Sequence, residues 1–213
     1  MSSKRVSPDN DISPFEPPEQ APFFEEVGRA MSYWASVEAA LAELYAIALN
    51  HNNRRPAKVS FWTVVAFEAK RQLADEGISA AIGDNTKLLA KWQKLSDQLR
   101  INAGTRNKIA HGTIVTTSWT TKKGRKRRDT YLAIRYHQRR DQFGKIVDPR
   151  TNDPRPNSKD RRSLKQLGSY RKAYNQLMKR LWVFEAELLR HIREREDPEP
   201  GIVIRAQTAR VLR

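Results

Sequence analysis

Arg106, Asn107 and His111 stand within six residues of one another, in the stretch RNKIAHG. Together they bring a permanent cation, an amide that donates and accepts, and an imidazole that titrates near neutrality to one short edge. Such a group can hold an anion, orient it and exchange a proton. A plainer account also exists: basic side chains near a helix C-terminus complement its dipole, and His is an ordinary last-turn residue.

The element that carries these residues is a helix. Leu88, Trp92, Leu95 and Leu99 recur at three and four, which predicts a helix from about Asp84 into the motif, with Gly112 as its stop. At about 100° per residue, Leu88, Leu95, Leu99 and Arg106 fall in one narrow sector, so Arg106 points along the apolar stripe. Asn107 and His111, four apart, are neighbours on the flank, and His111 lies about 140° round from Arg106. On an earlier helix Glu38 falls between the directions of Met31 and Tyr45, a carboxylate on an apolar seam. A lone buried charge is costly and a partner reduces the cost. Glu38 is therefore expected to meet Arg106, as a structural bridge or as support for the site.

Around that helix the chain divides simply. Residues 1–21 hold four prolines among Ser, Asp and Glu and are expected to form a disordered N-terminal tail. From Pro22 the spacing of Val27, Met31, Trp34, Val37, Leu41, Leu44, Tyr45 and Ala48 predicts a long amphipathic helix. A second is expected from about Pro56 to Glu76, with Phe61, Val64, Val65 and Leu73 inward. After Gly112 the period becomes two: TIVTTSW and TYLAIRY flank the charged, Gly-containing TKKGRKRRD, which predicts a β-hairpin. A Pro-rich loop follows. Ser163 and Gln166 make a capping box for a last helix with Leu167, Tyr170, Tyr174, Leu177, Leu181, Phe184 and Leu188 inward. The expected fold is all-α: an antiparallel four-helix bundle over 22–196, with a hairpin and loop inserted at about 113–160 between the third and fourth helices. Residues 197–213 are expected to be a C-terminal tail.

Composition narrows the chemistry. There is no Cys, which removes disulfides, thiolate metal sites and thiol nucleophiles. The four His are scattered, no HExxH occurs, and neither metal nor cofactor is expected. No apolar run reaches the roughly 18 residues of a membrane span, and the N-terminus lacks the apolar core of a signal peptide. The expectation is a soluble, cytoplasmic protein that does not engage membranes.

The charge is uneven. The net +16 is far beyond what solubility requires, and from Lys122 to Lys172 eighteen Lys or Arg face five Asp, an excess of +13. Concentrated charge of this kind implies a polyanionic partner, nucleic acid by default. The phosphate-contacting candidates are Lys122, Lys123, Arg125, Lys126, Arg127 and Arg128 of the hairpin, with Lys165, Lys172 and Lys179, which recur every seven residues on the last helix. Trp119, Tyr131, Tyr136 and Phe143 are available for base stacking. For any single Lys, a solvated face or a charged turn that blocks edge pairing is the alternative.

RNKIAHG resembles the signature of the HEPN superfamily, whose commonest form reads R-N-x-x-A-H-G; Arg106, Asn107, Ala110, His111 and Gly112 match it. The upstream SYWASVEAALAEL, with Trp34 and Glu38, is similar to the first helix of such proteins. The basic hairpin departs from the minimal bundle. The resemblance implies a metal-independent endoribonuclease working as a homodimer, with two motifs facing one cleft. Arg106 would then hold the scissile phosphate, and Asn107 would orient the phosphate or the His111 ring. His111 would take the 2′-hydroxyl proton or protonate the leaving 5′-oxygen, giving 2′,3′-cyclic phosphate and 5′-hydroxyl ends. Many HEPN proteins are toxins or phage-defence effectors, so an antitoxin or regulatory partner is a further expectation beside RNA. The alternatives are a catalytically silent nucleic-acid-binding or regulatory dimer of the same type, and an interaction scaffold.

Overall fold

The structure is a computed structural model that describes residues 19–120, 124–134, 139–140, 146–147 and 161–196, with backbone alone at 117–120, 139–140 and 146–147. It is mostly helical with a small antiparallel sheet. Helix α1 spans Ala21–Asn50, α2 Arg55–Thr63, α3 Phe67–Ile82, α4 Thr86–Ala110 and α5 Leu164–Glu196. Strands β1 (Thr113–Thr120), β2 (Lys126–Ala133), β3 (Arg139–Arg140), β4 (Ile146–Val147) and β5 (Arg161–Arg162) lie between α4 and α5. No helix among the described residues is long and apolar enough to cross a membrane. Residues 1–18 and 197–213, most of the two expected tails, lie outside the described residues.

Two elements behave as their sequence dictates. Ser163 and Gln166 form the capping box reciprocally, with Ser163 N–H donating to Gln166 Oε1 at 2.9 Å and Gln166 N–H to Ser163 Oγ at 3.3 Å. Along α5, Leu167, Tyr174, Leu177, Leu181, Phe184 and Leu188 are buried and Tyr170 partly so. The α4 N-terminus is closed by Asn85, whose side chain accepts from Leu88 N–H at 3.1 Å.

The expected second helix is in fact two. Thr63, Val64 and Val65 form a run of β-branched residues, which lose side-chain freedom against a preceding helical turn. Val64 and Ala66 instead take extended backbone, with ψ of 122° and 128°. Val65, expected inward, is 94% exposed at this joint.

That break reverses the chain. Along α1 and α3, Glu38 meets Lys70 and Tyr45 lies against Gly77, a constant offset that makes these helices parallel. Short α2 is the return stroke between them, Arg54 reaching Glu43 at one end and Trp62 lying beside Glu38 at the other. Antiparallel pairing holds for α3 with α4, through Arg71–Ser96 and Asp75–Trp92, and for α4 with α5, through Gln98–Arg180 and Lys91–Glu187. Helices α1 and α5 are again parallel, through Glu26–Arg171 and Glu196–His51. The expected antiparallel bundle of four is thus five helices with mixed directions. One core joins them: Trp34 of α1 packs edge-on against Phe67 of α3 and Tyr174 of α5, with ring centroids 4.8 and 5.3 Å away.

The hairpin also differs from expectation. Strands β1 and β2 pair from Thr113↔Ala133 out to Thr120↔Lys126, so Lys126, Arg127 and Arg128 are strand residues and the turn is short, with Gly124 at φ 75°. Strand β5 adds to β2 through Leu132↔Arg162 and Ala133↔Arg161. This satisfies backbone groups that a two-stranded ribbon would leave open at that edge, and it makes the fold helical with a three-stranded sheet rather than all-α with a hairpin. The helical unit also reaches further back than Pro22: Glu19 pairs with Arg128 at 2.7 Å and Gln20 donates to Thr116 Oγ1 at 3.2 Å.

Candidate functional site

The motif occupies the junction where α4 ends and the basic sheet begins. His111 closes α4, its backbone N–H reaching Asn107 O at 3.1 Å, and Gly112 N–H reaches Ile109 O at 3.2 Å. Gly112 is required here for space and not for a left-handed backbone. A Cβ on it would lie 2.8 Å from Leu132 Cδ1 and 3.1 Å from Lys108 O. A side chain here would have to push Leu132 aside, so glycine lets β2 come close to the helix end, where the basic sheet starts next to His111 in the chain.

The three motif side chains divide as the helical geometry requires. Asn107 and His111 are exposed, while Arg106 turns inward and is half-buried. Arg106 Nη1 donates to Asn107 Oδ1 at 3.0 Å. Its Nε is buried and has no hydrogen-bond partner among the described residues. Such an atom forgoes both water and protein, at a cost of about 1–3 kcal/mol. Near it lies Tyr174, whose phenol burial pushes well above the usual range, with Tyr170 adding to the shift and the charge of Arg106 opposing it. The Tyr174 hydroxyl likewise has no partner among the described residues. No side chain among them bonds the His111 ring.

Glu38 does not pair with Arg106. Its Oε1 accepts from Trp34 Nε1 at 2.6 Å and its Oε2 faces Lys70 Nζ at 3.2 Å. The reason is the α2–α3 reversal, which sets α3 alongside α1 and delivers Lys70, 6% exposed, to the carboxylate. The ammonium also sits 4.4 Å from the centre of the Trp62 ring and 5.6 Å from that of Phe61, contacts that favour a cation over an aromatic face. Glu38 and Arg106 nevertheless line one pocket of about 230 Å³, with Met31, Trp34, Ala35 and Trp62. They share a cavity without sharing a bond.

The basic candidates fall in two groups. Lys165, Lys172 and Lys179 are all exposed. The α4–α5 register set by Gln98–Arg180 and Lys91–Glu187 puts Lys172 level with Arg106, Lys165 level with the start of β1, and Lys179 level with Leu99. The stripe therefore runs past the motif. Lys179 enters a groove with Lys91, Lys94, Arg180 and Val183. On the hairpin, Arg125, Lys126, Arg127 and Arg128 are exposed. Strand alternation puts Lys126 and Arg128 on one face of the sheet and Arg127 on the other. Lys122, Lys123, Tyr136 and Phe143, and the Trp119 side chain, lie outside the described residues. Tyr131 is not available for stacking on a base: it is 2% exposed, with the Arg161 guanidinium 4.6 Å over its ring.

Four residues at the site escape a reading of the sequence alone. Arg161 and Arg162 join the base of the sheet through β5, a two-residue strand too short to leave a period. Trp62, half exposed, belongs to the site only because α2 doubles back. Lys70 alone leaves a signal: it stands at the head of the row Ala74, Ile78, Ile82, all buried, so a cation on that stripe calls for a buried partner.

Compared with protein-family models, with curated proteins and with solved structures, the chain matches none.

Proposed function

We propose that the chain is a metal-independent endoribonuclease of HEPN type, acting as a homodimer whose two motifs share one cleft. The observation that carries this is the junction itself: a half-buried guanidinium, an amide bonded to it and an exposed imidazole lie where a strongly basic sheet begins. Arg106 holds the scissile phosphate through its forked donors and stabilises charge growing on the phosphoryl oxygens. The ribose 2′-oxygen attacks phosphorus and the P–O5′ bond breaks. One His111 takes the 2′-hydroxyl proton and the other supplies a proton to the departing oxygen, leaving a 2′,3′-cyclic phosphate and a 5′-hydroxyl. Asn107, already bonded to Arg106, fixes the orientation of the guanidinium. Glu38 supports the site by holding Trp34 and Lys70 at its wall and not by pairing with Arg106. Lys165, Lys172 and the hairpin cations carry the RNA backbone past the junction. The biological setting that fits the motif is a toxin or defence effector held in check by an antitoxin or other regulatory partner.

The test is RNA cleavage in EDTA by purified protein, with product ends identified chemically. Cyclic phosphate ends from the parent and none from His111→Ala of equal circular dichroism support the enzyme. RNA retention with no cleavage replaces it with a silent RNA-binding dimer, a reading favoured by one observation, the lack of any described side chain orienting the His111 ring. A strict monomer by light scattering under cleaving conditions removes the shared cleft. Growth arrest on expression of the parent but not of Arg106→Ala supports the toxin setting, and equal growth removes it.

A further inference from the structure

The pocket beside Arg106 has a composition unlike that of a phosphate site. Its walls are Trp34 and Ala35 with Met31 on α1, the indole of Trp62 on α2, the carboxylate of Glu38 and the guanidinium of Arg106. A carboxylate repels phosphate, so the pocket is not where the backbone sits. An apolar ligand fits no better, because it would cover two charged groups and give neither a hydrogen bond. At about 230 Å³ the space is small for a drug-sized ligand or a peptide segment and suits a single flat ring system.

The polar atoms then select among ring systems. Glu38 Oε1 and Oε2 each receive one bond, from Trp34 and Lys70. An ionised carboxylate has about four lone-pair positions, so each oxygen retains one acceptor site. Opposite in character, Arg106 lines the same pocket, and its Nη2 bonds no side chain among the described residues. The occupant must therefore show two adjacent donors to one wall and an acceptor to the other. Trp62, 48% exposed and held in place by Lys70 and by Phe61 at 5.4 Å, offers an aromatic surface on which such a ring can stack.

We propose that this pocket is a nucleobase subsite selective for guanine, placed next to the phosphate held by Arg106. The proposal rests on the ribonuclease reading for its substrate. Guanine N1–H and N2–H₂ donate to the two free positions of Glu38, and O6 accepts from Arg106 Nη2, whose second N–H remains with that of Nη1 for the phosphate. Adenine and cytosine each present only their exocyclic amine as a donor, and uracil only N3–H. The site therefore makes the nuclease cut beside guanine and not at random.

The experiment is calorimetric titration of the full chain carrying His111→Ala, which prevents turnover, with guanosine, adenosine, cytidine, uridine and inosine 3′-monophosphates. Guanosine 3′-monophosphate binds about tenfold or more tightly than the others, the equivalent of about 1.4 kcal/mol. Inosine 3′-monophosphate, which lacks only the 2-amino group, loses most of that advantage. Trp62→Ala, a substitution at an exposed site, weakens all five together, and Glu38→Gln narrows the difference between guanine and the rest. Because the inosine comparison needs no altered pocket, it stands even where Glu38→Gln disturbs the fold. Equal binding of the four standard nucleotides, or none, to folded protein overturns the subsite even where RNA is cleaved. Guanine-selective binding without RNA cleavage upholds the subsite and removes the nuclease.

Discussion

Lys70 Nζ lies 3.2 Å from Glu38 Oε2 and 4.4 Å from the centre of the Trp62 ring, so one buried ammonium joins α1, α2 and α3. Both partners are largely withdrawn from solvent, at 8% and 14% side-chain exposure. Removing one charge from such a pair strands the other, at a cost of about 3–5 kcal/mol. Lys70→Ala is expected to destabilise by that amount in urea unfolding, and Lys70→Met with Glu38→Gln to recover most of it. A Lys70→Ala cost no larger than that of a surface substitution would show that the pair is open to water in solution.

At the helix end, Gly112→Ala forces a methyl into Leu132. Overpacking of this kind costs about 1–3 kcal/mol. Since the Leu132 side chain is what the methyl meets, the cost is expected to shrink in a Leu132→Ala background. The non-additivity of the two changes is the readout, and strict additivity would place the strain elsewhere.

Two carboxylates at one end of the core respond to pH with opposite sign. Burial alone would raise Glu43, but hydrogen bonds from Lys58 and Arg54 outweigh it and hold the group below its ordinary 4.5. Glu185 is raised, by burial first and by the Glu43 charge second, with Arg54 and Lys58 opposing. A lowered folded value contributes stability above the unfolded pKa that is lost as pH falls through the folded one. A raised value contributes stability below the unfolded pKa that is lost as pH rises through the folded one. Glu43→Gln is therefore expected to destabilise at pH 7 and Glu185→Gln to stabilise, each by no more than about 1 kcal/mol for partly exposed groups. The Glu185 difference closes as the pH falls through the ordinary carboxylate range, about 4 to 4.5, and the Glu43 difference closes only below it; thermal melts across both ranges decide it.

The Lys stripe on α5 offers a purely electrostatic test. Changing Lys165, Lys172 and Lys179 to Ala together is expected to alter stability by no more than about 0.5 kcal/mol per site, since all three are exposed surface positions. The slope of log binding constant against log salt for single-stranded RNA falls by about 0.7 for each phosphate that is no longer neutralised, so the triple variant lowers it by about two. An unchanged slope would leave the stripe as a solvated helix face.

Periodicity made α1, α4 and α5 legible, because their apolar rows are long and their ends carry Pro22, Gly112 and the Ser163–Gln166 box. The direction of the helices was not legible. Whether a chain continues or doubles back at Thr63–Val64–Val65 depends on what Phe61 and Lys70 find to pack on, and that is decided by tertiary contact. The exposure of Asn107 and His111 and the inward turn of Arg106 followed from 100° steps along one helix. The partner of Glu38 did not, because two cations approach its seam and periodicity gives the face of a helix without its neighbour.

Thr113 and Arg161 are both paired with Ala133, so the polypeptide leaves the helical body and re-enters it on either side of a single residue. Between them lie thirteen Lys or Arg and five Asp, half of the net +16. Both ends of the segment that bears this charge are thus anchored at one point of the sheet, while Glu19 and Gln20 tie its first two strands back to the helical body through Arg128 and Thr116. Residues between those anchors can be altered while the ladder at Ala133, and with it the ends of α4 and α5, stays in place, so the charge of the molecule and its helical scaffold can be varied separately.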